Sequence, residues 1–168
     1  MKYTFVKQHD ITDCAAACLA MVCLHYKKET SITTLRDIMG TDIKGTNLIG
    51  LSKCAGKLGF ESQAVRVDKE SFLSEYTKPC IANIITKEGL SHFVVLFKVT
   101  PKYVVIGDPA KDLEKIKTED FLKSFTGAIL ILKPTTEFET GKVRGEKTFH
   151  RFTGITYDDS AWDSVIPF

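Results

Sequence analysis

The stretch "VKQHDITDCAAACLAMVCLHY", residues Val6 to Tyr26, frames the reading of the whole chain. From Cys14 to Tyr26 it carries no glycine or proline and four alanines, which predicts a helix. Asp13 stands at the expected N-cap. The apolar residues run nearly all the way round the helix, as expected for one buried deep in a core rather than laid on a surface. Cys14 is its first residue, where unsatisfied backbone N–H groups carry about half a positive charge and favour a thiolate. Cysteines on alanine-rich helices are more often packing residues, and Gln8, taken alone, reads as a surface glutamine in a loop. The remainder of the chain has to decide between these readings.

At 168 residues the chain is expected to form one domain, with room for two lobes. Hydrophobic residues make up 43% and charged residues 26%, as in an ordinary globular protein. The net charge of +2 is spread among interspersed acids and bases, which argues against nucleic acid as a partner. The longest apolar runs, "CIANII", "FVVLF" and "GAILIL", are strand-sized and far short of the roughly 20 residues that span a bilayer. "MKYTFVKQHD" lacks the apolar core of a secretory signal, so a cytosolic location is expected. The five cysteines are odd in number and irregularly spaced, which disfavours a disulfide framework. No second close pair of Cys or His follows Cys14 and Cys18 at zinc-site spacing.

Three helices are expected in the first half. Ser31 can cap "ITTLRDIM", which Gly40 ends, and Thr46 can cap "NLIGLSKCAGKL", which ends at Gly59. From Phe60 the pattern alternates. "FESQAVRV", "CIANIIT", "SHFVVLFKV", "YVVIGDP" and "GAILIL" read as strands, with "DLEKIK" as a candidate edge strand. "DKESFLSEY" and "TEDFLKSF" read as short helices, the second capped by Thr118. The links between strands are too short for helical crossovers, so neighbours should pair antiparallel. The result is an α+β domain, with a ligand cleft between a helical lobe and a sheet lobe. Beyond Pro134 the chain turns polar and then acidic around Trp162. The division is therefore a domain over 1–134 and a linker or docking tail over 135–168.

Four histidines are present: His9, His25, His92 and His150. His92 opens the apolar strand "SHFVVLFKV", a rigid mount for a reactive group. If that strand and "YVVIGDP" form a hairpin about "TPK", Asp108 at the end of the second becomes a cross-strand neighbour of His92. Asp108 could then hold one imidazole nitrogen while the other faces the cleft. "GDP" is also an ordinary strand-ending turn. Together Cys14, His92, Asp108 and Gln8 fill four roles: nucleophile, base, orienter and side-chain donor to an oxyanion, the Cys14 N–H being the second donor. That is the logic of a cysteine peptidase triad.

The motifs "QHDITDCAAACLAM", "GTNLIGLSKCAGKLGF", "PCIANII", "LSHFVVLFKV", "IGDPA" and "FTGAILILKP" occur in the order of a known family. The chain resembles the peptidase C39 domain, the papain-like processing domain at the N-terminus of bacteriocin- and peptide-exporting ABC transporters. Ala15 stands where the family often has glycine. The resemblance implies a papain-like fold, with Cys14 as nucleophile, His92 as base, Asp108 as orienter and Gln8 in the oxyanion hole. It implies bacterial precursors whose amphipathic leader helix docks by its apolar face and ends in Gly-Gly or Gly-Ala, where the cut falls. The family's partners are the membrane and ATPase domains of a transporter at the cytosolic face of the plasma membrane. No cofactor is expected here, ATP belonging to the separate ATPase domain. An excised domain, a stand-alone protease and a truncated product all suit the tail. Alternative readings are a catalytically silent C39-like leader-binding module, another papain-like acyl transfer, and, more remotely, a zinc protein.

Overall fold

The computed structural model describes residues 3–39 and 48–142. The expected signals at Gly40 and Thr46, and the tail with His150, Trp162 and Phe168, lie outside the described residues. A 3-10 turn, Ile11–Asp13, leads into α1 (Cys14–His25). A short β1 (Lys28–Glu29), α2 (Ile32–Met39) and α3 (Leu48–Lys57) follow. The rest is β2 (Phe60–Arg66), α4 (Lys69–Phe72), β3 (Cys80–Ile85), β4 (Ser91–Val99), β5 (Tyr103–Gly107), β6 (Leu113–Lys117), α5 (Thr118–Ser124), β7 (Phe125–Pro134) and β8 (Gly141–Lys142).

Six strands form one antiparallel sheet in the order β2-β7-β3-β4-β5-β6. The tight links make β3-β4-β5-β6 a meander, as the short connections require. β7 then returns between β2 and β3. "DLEKIK" is the edge strand β6. β1 and β8 pair in parallel as a separate ribbon.

Every residue of α1 from Ala15 to Cys23 is buried. It lies against Phe93, Val95 and Phe97 of β4 and is enclosed by Leu35 of α2 and Leu51 of α3. Its alanines give it a narrow cross-section, so both neighbours can approach closely. The stripe Leu48, Leu51, Ala55 and Leu58 is buried, as the helical spacing predicts. The opposite face of the sheet is covered by a second, smaller core. Phe72 of α4 and Phe121 of α5 stack there with ring centroids 5.6 Å apart, against Phe125 of β7. The sequence pattern shows α4 and α5 but not that they cover this face.

Among the described helices one expected cap forms, at Ser31, and two do not, while Asp68 caps α4. Ser31 Oγ accepts the Thr34 N–H at 3.0 Å, and Asp68 accepts the Ser71 N–H at 2.8 Å. Thr118 does not cap α5; its hydroxyl donates to the Thr100 carbonyl at 2.6 Å and ties α5 to the β4-β5 turn. Asp13 precedes α1 but bonds none of its N–H groups. It is buried and accepts the Asp10 N–H at 2.9 Å together with the Arg36 guanidinium of α2, through Nε at 3.0 Å and a second nitrogen. The guanidinium is the stronger partner because its bonds are charge-assisted.

Past Pro134 the described chain folds back onto the body. Thr135 donates its N–H to the Gly59 carbonyl at 2.9 Å, and Phe138 packs on Phe60 at 4.7 Å between centroids. Gly59 has φ +98°, and a side chain there would meet the Phe138 backbone at 2.6 Å. No helix among the described residues is long and apolar enough to cross a membrane.

Gly107 sits where Met21 of α1 presses on the sheet. A Cβ there would lie 2.8 Å from Met21 Sδ and 3.1 Å from Phe97 Cε2. Overpacking of this kind typically costs about 1–3 kcal/mol, so Gly107→Ala should lower the unfolding free energy measured in urea by that scale. Combining it with Met21→Ala should lose less than the sum of the two, because the contact is shared. Strict additivity in a double-variant unfolding series would refute this account.

Candidate active site

Three distant segments meet at one end of the sheet. Cys14 is the first residue of α1, His92 the second of β4, and Asp108 the residue just after β5. The last paired residue of β5, Gly107, lies opposite Val95. Asp108 is therefore one step beyond the ladder and reaches His92 from there rather than standing directly opposite it. The hydrogen bond between His92 Nε2 and Asp108 Oδ1 is 2.7 Å, with the two side chains 11% and 9% exposed.

The turn after β5 holds Asp108 in place. Its Oδ1 also accepts the Ala110 N–H at 3.0 Å. Its own N–H donates to the Asp112 carbonyl at 3.0 Å, and its carbonyl accepts the Lys111 N–H at 2.9 Å. An aspartate folding its side chain onto the backbone two residues on is the usual chemistry of such a turn. Within the same turn the Pro109 carbonyl accepts the Gln8 N–H at 2.9 Å. The segment before α1 is thus tied directly to the residue beside Asp108. Gln8 is half-buried, and its Oε1 is enclosed without a hydrogen-bond partner.

With Nε2 engaged by Asp108, Nδ1 is the imidazole nitrogen left for Cys14, whose thiol is within hydrogen-bonding reach of the ring. Burial by itself would push His92 down. Hydrogen bonds to Asp108 and Cys14, and the negative charges of both, outweigh it and raise His92 to about 9. Burial likewise opposes ionisation of Asp108. The His92 hydrogen bond, the Ala110 N–H and the charges of His92 and Lys111 overcome that and hold it below the usual carboxylate range. The ring is thus held between a carboxylate and a thiol, and both neighbours favour its protonated form.

Cys14 is half-exposed, and the other four cysteines are buried. Burial pushes Cys23 and Cys80 up to about 12 and raises Cys18 and Cys54 as well, Cys18 feeling also the charges of Cys14 and Asp108. His9 is exposed, and His25 packs edge-on against Tyr26 at 4.8 Å; neither joins the site. Among the described residues no three His, Cys, Asp or Glu side chains converge as a metal site would need.

Under native conditions iodoacetamide should therefore modify Cys14 alone, and all five cysteines after denaturation. Peptide mapping that finds equal native labelling would contradict the site. A second check uses pH. Because His92 is raised from 6.5 to about 9 by folding, its contribution to stability is complete below pH 6.5 and lost as pH rises through about 9. The difference in unfolding free energy between wild type and His92→Gln should shrink over that window, and a difference that grows with pH would be inconsistent with this geometry.

The model of the peptidase C39 family matches residues 2–137. The lactococcin-G-processing and transport ATP-binding protein LagD of Lactococcus lactis subsp. lactis is 37% identical over 135 residues, which is 80% of this chain and 19% of that protein. The chain is thus similar to only a small part of that relative's length. The solved peptidase domain of Streptococcus ComA, a bifunctional ABC transporter involved in quorum sensing, superposes with TM-score 0.75 at 33% identity, covering 80% of this chain and all of that one. A double glycine motif protease from an AMS/PCAT transporter, solved in complex with the leader peptide, gives TM-score 0.73 at 39% identity, covering 80% of this chain and 93% of that one. With the family match running over most of its length, the chain belongs to the peptidase C39 family of cysteine peptidases.

Proposed function

We propose that this cysteine peptidase cuts the leader from ribosomally made precursors of the bacteriocin or lanthipeptide type, after a Gly-Gly or Gly-Ala pair, in step with export of the cargo. The observation that carries the reading is the 2.7 Å hydrogen bond that holds the His92 ring on Asp108, with Cys14 at the start of α1 near enough to act on the same ring. The similarity to a double glycine motif protease over 80% of the chain supports the substrate class.

The Cys14 thiolate attacks the carbonyl carbon of the second small residue. As the S–C bond forms, the carbonyl oxygen takes the negative charge, and the Gln8 amide and the Cys14 N–H donate to it. The His92 imidazolium passes its Nδ1 proton to the leaving nitrogen as the C–N bond breaks, leaving a thioester on Cys14. Neutral His92 then takes a proton from a water that attacks the thioester. The leader acid departs, and thiolate and imidazolium are restored. Asp108 touches neither substrate nor water; it fixes the ring and stabilises its charged form.

The leader docks as an amphipathic helix, its apolar face against the peptidase. The relatives are transport and processing ATP-binding proteins, which supports a place beside the membrane and ATPase domains of an ABC transporter at the cytosolic face of a bacterial plasma membrane. The domain itself works without a cofactor in this scheme.

A panel of leader peptides ending in Gly-Gly, Gly-Ala or a bulky pair, read by mass spectrometry, tests the reading. One cut after the small pair is expected, and none after the bulky pair. Cys14→Ala should abolish cleavage while leader binding survives; a cut that persists in this variant would overturn the assignment. Gln8→Ala should lower kcat by about 10²–10³, the usual cost of one oxyanion donor. Activity should fall as pH rises through about 9, where His92 loses its proton. Asp108→Asn should move that limb to lower pH, since a hydrogen bond and a negative charge that favour the imidazolium are gone.

A further inference from the structure

The strand "CIANII" carries one polar residue in an otherwise apolar run, Asn83, which is 1% exposed. Its backbone pairs with Phe93 of β4. Its side-chain Nδ2 reaches the beginning of that strand, donating to Ser91 Oγ at 2.8 Å and to the His92 carbonyl at 3.2 Å. The orientation of the amide is chemically forced, because a carbonyl oxygen only accepts and the nitrogen must face it. On the other side, Thr126 Oγ1 of β7 donates to the Asn83 carbonyl at 3.1 Å. The β3-β7 register shifts between Ala82 and Ile84, at Asn83 itself. Asn83 is thus held by one neighbouring strand while it holds the other.

His92 needs such an anchor. It is the second residue of β4, beside the turn that joins β3 to β4, where Leu90 is 51% exposed and Ile85, at the end of β3, 41%. Strand ends beside exposed turns are where a sheet opens first. The Asp108 bond fixes the tip of the ring, while the main chain that carries it rests on the last two pairs of the β3-β4 ladder, His92 with Ile84 and Ser91 with Ile85. The arrangement also costs stability, because Asn83 Oδ1 is buried with no partner. Leaving a buried acceptor unsatisfied is unfavourable, and an apolar residue would avoid it.

We propose that Asn83 is a positioning residue, pinning the His92 main chain at the open end of β4 so that the ring bridges Asp108 and Cys14. The proposal rests on the reading of His92 as the acid and base of the peptidase. Asn83 contacts no reacting atom; it acts through His92.

Asn83→Leu is the informative variant, since it keeps the branched shape and suits a buried strand while removing the amide N–H donors. It should fold with wild-type stability or better. Its kcat should fall about 10- to 100-fold with KM unchanged, the scale expected when a reacting group is slightly misplaced. By NMR, the His92 ring should titrate below the wild-type midpoint. Thr126→Val is the control, because it weakens the same region without touching the His92 carbonyl. It should lower the unfolding midpoint and leave the His92 titration in place. The proposal is overturned if Asn83→Leu keeps both kcat and the His92 midpoint, or if Thr126→Val moves that midpoint equally. Should the wild type cut no leader, the proposed function fails, and the NMR comparison still decides the role of Asn83.

Discussion

The close approach of α1 to the sheet is the constraint on which the rest depends. A helix buried on all sides has no freedom to slide, and its first residue is fixed wherever the packing puts it. Small side chains on α1 and the bare Cα of Gly107 set that distance. A bulkier helix would stand off from β4 and β5 and carry the thiol away from the imidazole. Van der Waals contact along the whole helix thus places the thiol, and hydrogen bonds place the imidazole and carboxylate that meet it.

Electrostatics then act on a geometry already made. His92 and Asp108 are both mostly buried, where isolated charges are expensive. Each makes the other's charge tolerable, and the Ala110 N–H contributes a fixed dipole to the same carboxylate. Asp13 and Arg36 form a comparable pair at the root of the site, joining α2 to the turn that leads into Cys14. Both pairs sit where the backbone leaves a regular element, the place where unpaired main-chain groups are otherwise hardest to satisfy.

Much of this was legible from residues alone. The periodicities locate the helices and strands, because an all-round apolar helix and alternating strands are strong local signals. The short links around "TPK" bring His92 and Asp108 to one end of the sheet by topology. What stayed hidden is long-range. That Asp13 turns away from α1 to meet Arg36 depends on how α2 packs, which no local pattern records. Thr118 was misread for the same reason, its carbonyl partner lying in a distant turn. Asn83 did carry a signal, a lone amide in an apolar strand. Its target, the His92 carbonyl, becomes visible only once β3 is paired with β4.

The return of β7 between β2 and β3 makes the sheet whole only when its last strand is in place. β7, the strand that closes the middle of the sheet, lies more than a hundred residues after Cys14 and must arrive before the sheet is whole. Until then β2 has no partner in the sheet, and the cores on both faces are incomplete. Contacts so distant in sequence form late. The helix that carries Cys14 therefore finds its full footing only when β7 joins, and the setting of the thiol beside His92 and Asp108 depends on a strand more than a hundred residues away.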